Sequence, residues 1–520
     1  MVRGILTVGG WTLASRVLGL LRDSLIAALL GAGEIADAFV IANKLPNLFR
    51  RLFGEGAFNA AFVPSFAGLL VSEGQESARN FAEEAIAALA FWLVGITVAA
   101  ELFMPSVMAV VAPGFGGDPG KFALAVDLAR ITFPYMPLIC ITALLSGVLN
   151  GMEKFGAAAA SQVVYNVVSI GCMVGLLGLV PTAGHALAWG VSLSGVVQLF
   201  LVAWAVRRAG LRLHIPRPRM TPRMRGLLRR MAPGLLGAGV VQLNSLVDSI
   251  IASLLAPGIV TVLYFAERVN QLPLGIIGTA VGTAILPTLS RQVSGGQGRE
   301  AVATLNRAIE FALMLTLPAA LALMVSSEAI IGALFGHGAF TDEAVVLSGQ
   351  ALVAFATGLP AFVLVKVLVP AFFSRGDTAM PVRIGLSAVA LNLALNVVLM
   401  RPLQHLGPPL ASSISSWVNA LALAVVLHRR GQLAIDSRLL ARAPRMLLAS
   451  FAMAAALFGF QRAAMPLLLA FHLPGMRQIG LAAMIGCGLL AYGVAGEVMR
   501  AFSLREAAAT LLRRRRPKPA

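Results

Sequence analysis

Arg16, Arg22, Asp23, Asp37, Lys44, Arg50, Arg51 and Glu55 all fall within residues 11–66, a stretch otherwise apolar enough to enter a bilayer. Ionisable groups at membrane depth are expensive, so they face a partner or a water-filled cavity and mark a substrate or ion pathway. Guanidinium groups in surplus suit phosphate or carboxylate, which they grip bidentately. The stretch therefore reads as one wall of a transport cavity that receives an anion. Arg268, in Tyr264-Phe265-Ala266-Glu267-Arg268, precedes Leu272-Pro273 much as Lys44 precedes Leu45-Pro46, and supplies a second basic wall. The competing reading is that Arg22-Asp23, Arg51-Glu55 and Glu267-Arg268 are closed ion pairs that lock helices together.

Depth follows from a helical rise of 1.5 Å per residue. With Gly31-Ala32-Gly33 as an outer turn, Arg22 and Lys44 lie roughly 14 and 16 Å inward, near the middle of a core about 30 Å thick. On an unbroken helix Asp37, Lys44 and Arg51 share a face. Pro46 is expected to interrupt that helix and Gly54 and Gly56 to weaken its continuation, which is tolerated at membrane depth only beside protein or a wet cavity.

The elements that must carry these groups are transmembrane helices. Of 520 residues, 58% are hydrophobic and 12% charged, with a mean hydropathy of +0.84, which excludes an ordinary cytosolic protein. About fourteen apolar segments are long enough to span, centred near residues 18, 50, 97, 136, 168, 195, 245, 274, 321, 358, 390, 418, 456 and 488. The net charge of +18 gathers in short connectors, which fits topology and lipid headgroups and not nucleic acid. Residues 207–230 hold nine arginines and no acid, 429–445 hold five arginines against Asp436, and the tail ends Arg513-Arg514-Arg515-Arg516-Pro517-Lys518. These segments follow spans six, twelve and fourteen, so one side carries them all, and the bias of Lys and Arg makes it cytoplasmic. The N-terminus reads as a retained first helix. Cys140, Cys172 and Cys487 lie far apart in apolar runs and are expected as free, buried thiols.

Internal repetition sets the architecture. Asp23-Ser24-Leu25-Ile26-Ala27-Ala28-Leu29-Leu30 recurs 225 residues on as Asp248-Ser249-Ile250-Ile251-Ala252-Ser253-Leu254-Leu255, and Leu45-Pro46, Pro64-Ser65 and Gly74-Gln75 recur at spacings of 222 to 227. Each repeat spans six helices, an even number, so the halves are parallel repeats. The fold class is an all-α polytopic membrane protein: two parallel-repeat six-helix lobes around a central cavity, plus two C-terminal helices. The lobes run 1–206 and 224–429, with a basic cytoplasmic connector at 207–230, two additional helices in 430–505 and a basic tail at 506–520. Asp248 and the pair Asn392 and Asn396, four apart on one helix face, either hold a cation or hydrogen-bond between helices. The histidines show no metal-ligand spacing, and no Walker motif, nucleophile elbow or dinucleotide fingerprint appears, so an enzyme is unsupported.

Ser15-Arg16-Val17-Leu18-Gly19-Leu20-Leu21-Arg22-Asp23, Asp37-Ala38-Phe39 and the run from Lys44 to Phe58, followed by Phe62-Val63-Pro64, closely resemble the bacterial lipid II flippase family MurJ (MviN). That family belongs to the multidrug/oligosaccharidyl-lipid/polysaccharide exporter superfamily. The likeness extends through Tyr264 to Pro273, Gly336-His337-Gly338-Ala339-Phe340 and Asp377 to Arg383. It implies a non-enzymatic carrier in the bacterial cytoplasmic membrane that moves lipid II from the inner to the outer leaflet by alternating access, with both termini cytoplasmic. The family's functional residues map onto Arg16, Arg22, Asp37, Arg50 and Arg268, with Lys44, Arg51 and Glu55 nearby. Its last two helices, here about 445–470 and 477–500, imply a groove for the polyprenyl tail. The energy source is left between the membrane potential and an ion gradient, with sodium or a proton as the coupling ion in the second case; Asp248 matches the carboxylate of the members that resemble sodium-coupled carriers, whereas Asn396 stands where the pattern has an acidic ligand. Membrane lipids and the cell-wall synthesis machinery are the implied partners. The alternatives are an exporter of another polyprenyl-linked saccharide and a multidrug/cation antiporter.

Overall fold

A computed structural model describes residues 2–51, 57–469 and 475–502. The described residues are all-α, with no strand among them, as the fold class requires. Nine helical stretches among them are long and apolar enough to cross a membrane, and the chain is a multi-pass membrane protein. Packing divides it into two units: Met1–Thr261 with His337–Thr341, and Val262–Gly336 with Asp342–Ala520.

The first unit begins with α1 (Val2–Leu30) and α2 (Glu34–Phe49), separated by the expected glycine turn. Gly31 ends α1 at φ 62. Next come α3 (Ala57–Ser72), α4 (Gln75–Leu102) and the short α5 (Met104–Val111), then α6 (Pro119–Thr132) and α7 (Tyr135–Gly151). The unit is completed by α8 (Gly156–Gly175), α9 (Ala183–Arg208) and α10 (Pro222–Ser253). α1 packs on α8, α2 on α6, and α7 and α8 on α9. One core cluster stacks Phe62 between Phe58 and Phe66, with Phe81 of α4 against it, at centroid separations of 5.3 to 5.8 Å. Offset aromatic stacking adds about 0.5–1.5 kcal/mol per pair beyond burial, which fixes α3 on α4.

One apolar region was expected near residue 50; the structure places α2 before it and α3 after it. Pro46 does not interrupt α2, which continues to Phe49 and ends in a π-type turn at residues 50 and 51. The physical reason is a contact with another helix. Pro46 cannot donate to the carbonyl of Ala42, and the hydroxyl of Thr132 donates to that carbonyl instead, at 3.1 Å. Gly54, Glu55, Gly56 and the basic tail lie outside the described residues.

The second unit contains α11 (Ile259–Ser294), whose first residues belong to the first unit, α12 (Gly298–Val325), the short α13 (Ser327–Phe335) and α14 (Asp342–Phe373). α15 (Ala379–Leu403) and α16 (Gly407–Arg429) form a helical pair turned at Gln404, and α17 (Ser437–Leu469) and α18 (Met476–Val498) pack on each other. α14 packs against α12 and α16, and α17 against α12. Glu310 on α12 receives Arg307, Arg438 and Arg442, the last at 2.7 Å, so a single buried carboxylate ties α12 to the start of α17. The three cysteines are free, as expected, but only Cys140 is buried; Cys172 and Cys487 are half-buried.

Candidate functional site

α1 has no apolar stripe of its own, whereas α2 is amphipathic and buries Phe39, Ile41, Ala42 and Leu45. Arg16 is exposed on α1, one residue beyond Ser15, whose carbonyl accepts from Asn166 of α8 at 3.1 Å. Arg22, two turns further on, is only 9% exposed. Its Nη2 lies 2.6 Å from Oδ1 of Asp23, which has no exposure, and its guanidinium stacks over Tyr165 of α8 at 5.0 Å. The closed-pair reading therefore holds for Arg22-Asp23. The pair neutralises the charge while the ring face supports the guanidinium plane.

On α2, Lys44 is half-buried and makes no ion pair among the described residues. Arg50 and Arg51 are half-buried at the π-type turn. Arg50 Nε donates to Oδ1 of Asn47 at 3.1 Å, and Asn47 donates in turn to Oδ1 of Asn43 at 3.0 Å. Residues 43, 47 and 50 share one face of α2, so two asparagines orient the arginine. Neither asparagine stood out in the sequence; their four-residue spacing ahead of Arg50 was the available signal.

Asp37 is set apart from Lys44 and Arg51 by its surroundings. It is fully buried. Oδ2 accepts from Nζ of Lys121 at 2.7 Å and from the backbone N–H of Gly258 at 2.7 Å; Oδ1 accepts from the N–H of Thr261 at 2.9 Å and its hydroxyl at 2.8 Å. Gly258 and Thr261 open α11, where first-turn N–H groups have no intrahelical acceptor and the helix dipole favours an anion. Asp37 thus serves as a cap supplied by a different helix. Lys121, itself buried, also lies 4.3 Å from the Phe115 ring centroid. Sequence reasoning missed Lys121 because it sits in an apparently weakly charged outer connector. Its place one turn after the Asp118-Pro119 helix start was the clue.

The residues His337–Thr341 also join this end. The Ala339 N–H donates to the Ala28 carbonyl at 2.8 Å, and His337 Nε2 lies 3.0 Å from Ser24 Oγ.

Asp248 is half-buried on α10 in the first unit. Asn392 and Asn396 are fully buried on α15 in the second unit, and Asn396 Nδ2 donates to Oδ1 of Asn392 at 2.9 Å. Arg268 is half-buried on α11, one residue beyond Glu267, which accepts from Gln271 at 2.7 Å. Glu55 lies outside the described residues. No cluster of three or more metal-ligating side chains occurs among the described residues.

A fold of long apolar helices, nine of them among the described residues able to cross a membrane, defines a polytopic membrane protein. Its fold is similar to that of a solved lipid II flippase MurJ in an inward closed conformation, with a TM-score of 0.78 at 22% identity over 95% of this chain and 98% of that one. An inward-facing multidrug resistance MATE family transporter of the MOP superfamily aligns with a TM-score of 0.71 at 15% identity, over 80% of this chain and 94% of that one. The family model described as lipid II flippase MurJ matches residues 26–476. A relative from Rhizobium meliloti (strain 1021), named probable lipid II flippase MurJ, is 42% identical over 99% of this chain and 96% of its own length. Another from Burkholderia cenocepacia, named lipid II flippase MurJ, is 33% identical over 83% of this chain and 84% of its own. The chain belongs to the lipid II flippase MurJ family.

Proposed function

We propose that this protein translocates lipid II, the lipid-linked peptidoglycan precursor, from the inner to the outer leaflet of the bacterial cytoplasmic membrane by alternating access. The observation that carries the reading is the concentration of cationic side chains on α1 and α2 within helices that otherwise belong in lipid. Arg16, Lys44, Arg50 and Arg51 are the groups on these helices that contact the pyrophosphate and acidic headgroup, and Arg268 contributes from α11. Charge-assisted hydrogen bonds from guanidinium groups replace the water that phosphate oxygens lose on entering the membrane. Arg22 contributes through the rigid Arg22-Asp23-Tyr165 arrangement, and Asp37 through positioning of the outer end of α2. The polyprenyl tail stays in lipid beside α17 and α18.

The arginine-rich connectors at 207–230 and 429–445 support a cytoplasmic location for that side and for both termini. The membrane potential or a gradient of sodium ions or protons resets the cycle; Asp248 and, separately, the Asn392–Asn396 pair are the candidate cation ligands. The division of the chain into two repeat lobes, 1–206 and 224–429, with 430–505 appended, is the architecture on which the alternating motion acts.

The test is depletion of a resident flippase in a bacterial host and rescue by this chain, with precursor on the outer leaflet assayed directly. Rescue accompanied by outer-leaflet precursor supports the reading. Growth without translocated precursor points instead to a scaffold for envelope enzymes.

A further inference from the structure

The inner end of the first unit carries a basic feature that transport does not use. Between the end of α7, the start of α8 and the last turn of α9 lies an open surface groove of about 360 Å³, lined by Lys154, Arg208 and Trp204 with Leu149, Gly156 and Ala157 among its walls. Lys154 is held across the groove by donating from Nζ to the Ala209 carbonyl at 3.2 Å. The Arg208 guanidinium lies 5.2 Å from the Trp204 ring centroid, and that ring is 50% exposed. α8 starts at Gly156 after Phe155, which provides no side-chain cap, so its first N–H groups add positive potential to the same space. No carboxylate is among the lining residues.

We propose that this groove binds the phosphate headgroup of an anionic glycerophospholipid of the surrounding leaflet, separately from the transported lipid. Trp204 places the groove at the headgroup level, where amphipathic rings settle. Leu149, Ala157 and Ala205 give the glycerol and upper acyl carbons an apolar wall. The connector that follows α9 continues the same surface. It is pinned to α4 and the turn before it by three carboxylates: Glu83 accepts from the His214 N–H at 3.0 Å, Glu84 from the Thr221 hydroxyl at 2.7 Å and Glu73 from Arg223 at 2.9 Å. Arg212, Arg217, Arg219 and Arg225 stay exposed, interleaved with exposed Ile215 and Met220. Basic and apolar side chains alternating on a fixed segment beside the ends of membrane helices match an anionic lipid surface.

The experiment is native mass spectrometry of the full chain in detergent, titrated with phosphatidylglycerol or phosphatidylcholine. Wild type is expected to retain phosphatidylglycerol in preference. The double variant Lys154→Gln/Arg208→Gln is expected to lose about thirtyfold in apparent affinity, about fivefold per basic side chain. The charge-keeping pair Lys154→Arg/Arg208→Lys retains most of the binding. Should the double variant fail to fold, judged by its melting in the same detergent, Arg208→Gln alone at an exposed helix end reports the single fivefold step. Equal retention of the two lipids by wild type, undiminished phosphatidylglycerol binding by the Gln variants, or displacement of the lipid by millimolar inorganic phosphate overturns the proposal; the last outcome marks a free-anion site.

Discussion

The Asp37 carboxylate accepts the backbone N–H of Thr261, 224 residues further along the chain, at 2.9 Å. That separation falls within the 222 to 227 residues of the internal repeat, so the first-turn position of α2 caps its counterpart on α11. Lys121 completes the site from α6. Removing one partner of a buried ion pair costs about 3–5 kcal/mol because the other charge is stranded. The two partners are not equivalent, however. Without Lys121 the carboxylate keeps three donors, whereas without Asp37 the ammonium keeps, among the described residues, only the Phe115 face. Asp37→Leu should therefore lower the melting temperature in detergent more than Lys121→Met, with Thr261→Val, which removes one neutral donor worth about 0.5–1.5 kcal/mol, the mildest. Equal melting of Asp37→Leu and wild type would contradict the cap.

Arg22 is expected to fail in two separable ways. Arg22→Leu strands the buried Asp23 carboxylate and should reduce the amount of folded protein, a loss on the order of 3–5 kcal/mol. Arg22→Leu/Asp23→Leu removes both charges and should recover much of that stability, since an apolar pair can replace a buried ion pair. Transport should stay lost in both. A double variant that regains folded protein and full transport would reduce Arg22 to a structural lock.

Two turn glycines do different work from helix glycines. Gly31 has φ 62 and a Cβ there would collide with the Ala339 carbonyl; Gly258 has φ 88 and its Cβ would stand 2.9 Å from the Ala32 carbonyl oxygen. Alanine at either site is expected to cost about 1–3 kcal/mol from backbone strain, before the contact itself is counted. Gly10, inside α1 with open space around it, should gain about 0.5–1 kcal/mol on the same change. Thermal unfolding of the three variants in one detergent checks the ordering, and a stable Gly31→Ala would refute it.

Asp377, in the connector after α14, supplies a pH-dependent contact. The hydrogen bond from Arg430, followed by the Met380 N–H, holds its carboxyl below the ordinary value of 3.8. Arg430 Nη1 lies 2.7 Å away. Because the folded value is depressed, the contribution is present above 3.8 and disappears as pH falls through the lower folded value. The pair is partly exposed, so screening limits its worth to about 1 kcal/mol or less. The stability difference between wild type and Asp377→Asn should stay constant from pH 8 to pH 5 and shrink only below 3.8. A difference that grows in acid would reverse the assignment.

The helices were legible because span length, turn glycines and the repeat are local or periodic signals. Gly31 falls at the turn that the sequence marked. What the sequence left open was which charges meet. Asp37, Lys44 and Arg51 share a helical spacing, but spacing is silent about neighbours, and Lys121 reaches Asp37 from 84 residues away. Pro46 looked like a break because its missing N–H is local knowledge, whereas the Thr132 hydroxyl that compensates is a tertiary contact. Arg438 and Arg442, which meet Glu310, were read as topology markers in the connector 429–445 for the same reason. Asn43 and Asn47, polar but uncharged, carried no contrast against the cations beside them.

The central claim is that the cations on α1, α2 and α11 carry an anionic lipid headgroup across the membrane. It is tested most directly by reconstituting the full chain in liposomes with labelled lipid II and measuring its exposure to a membrane-impermeant reagent. Wild type should equilibrate the label between leaflets, while Arg16→Ala, Arg50→Ala and Arg268→Ala, inserted at wild-type levels, should each slow exposure at least tenfold, the factor that about 1.4 kcal/mol of lost charge-assisted bonding implies. Equal rates for wild type and all three variants would contradict the claim.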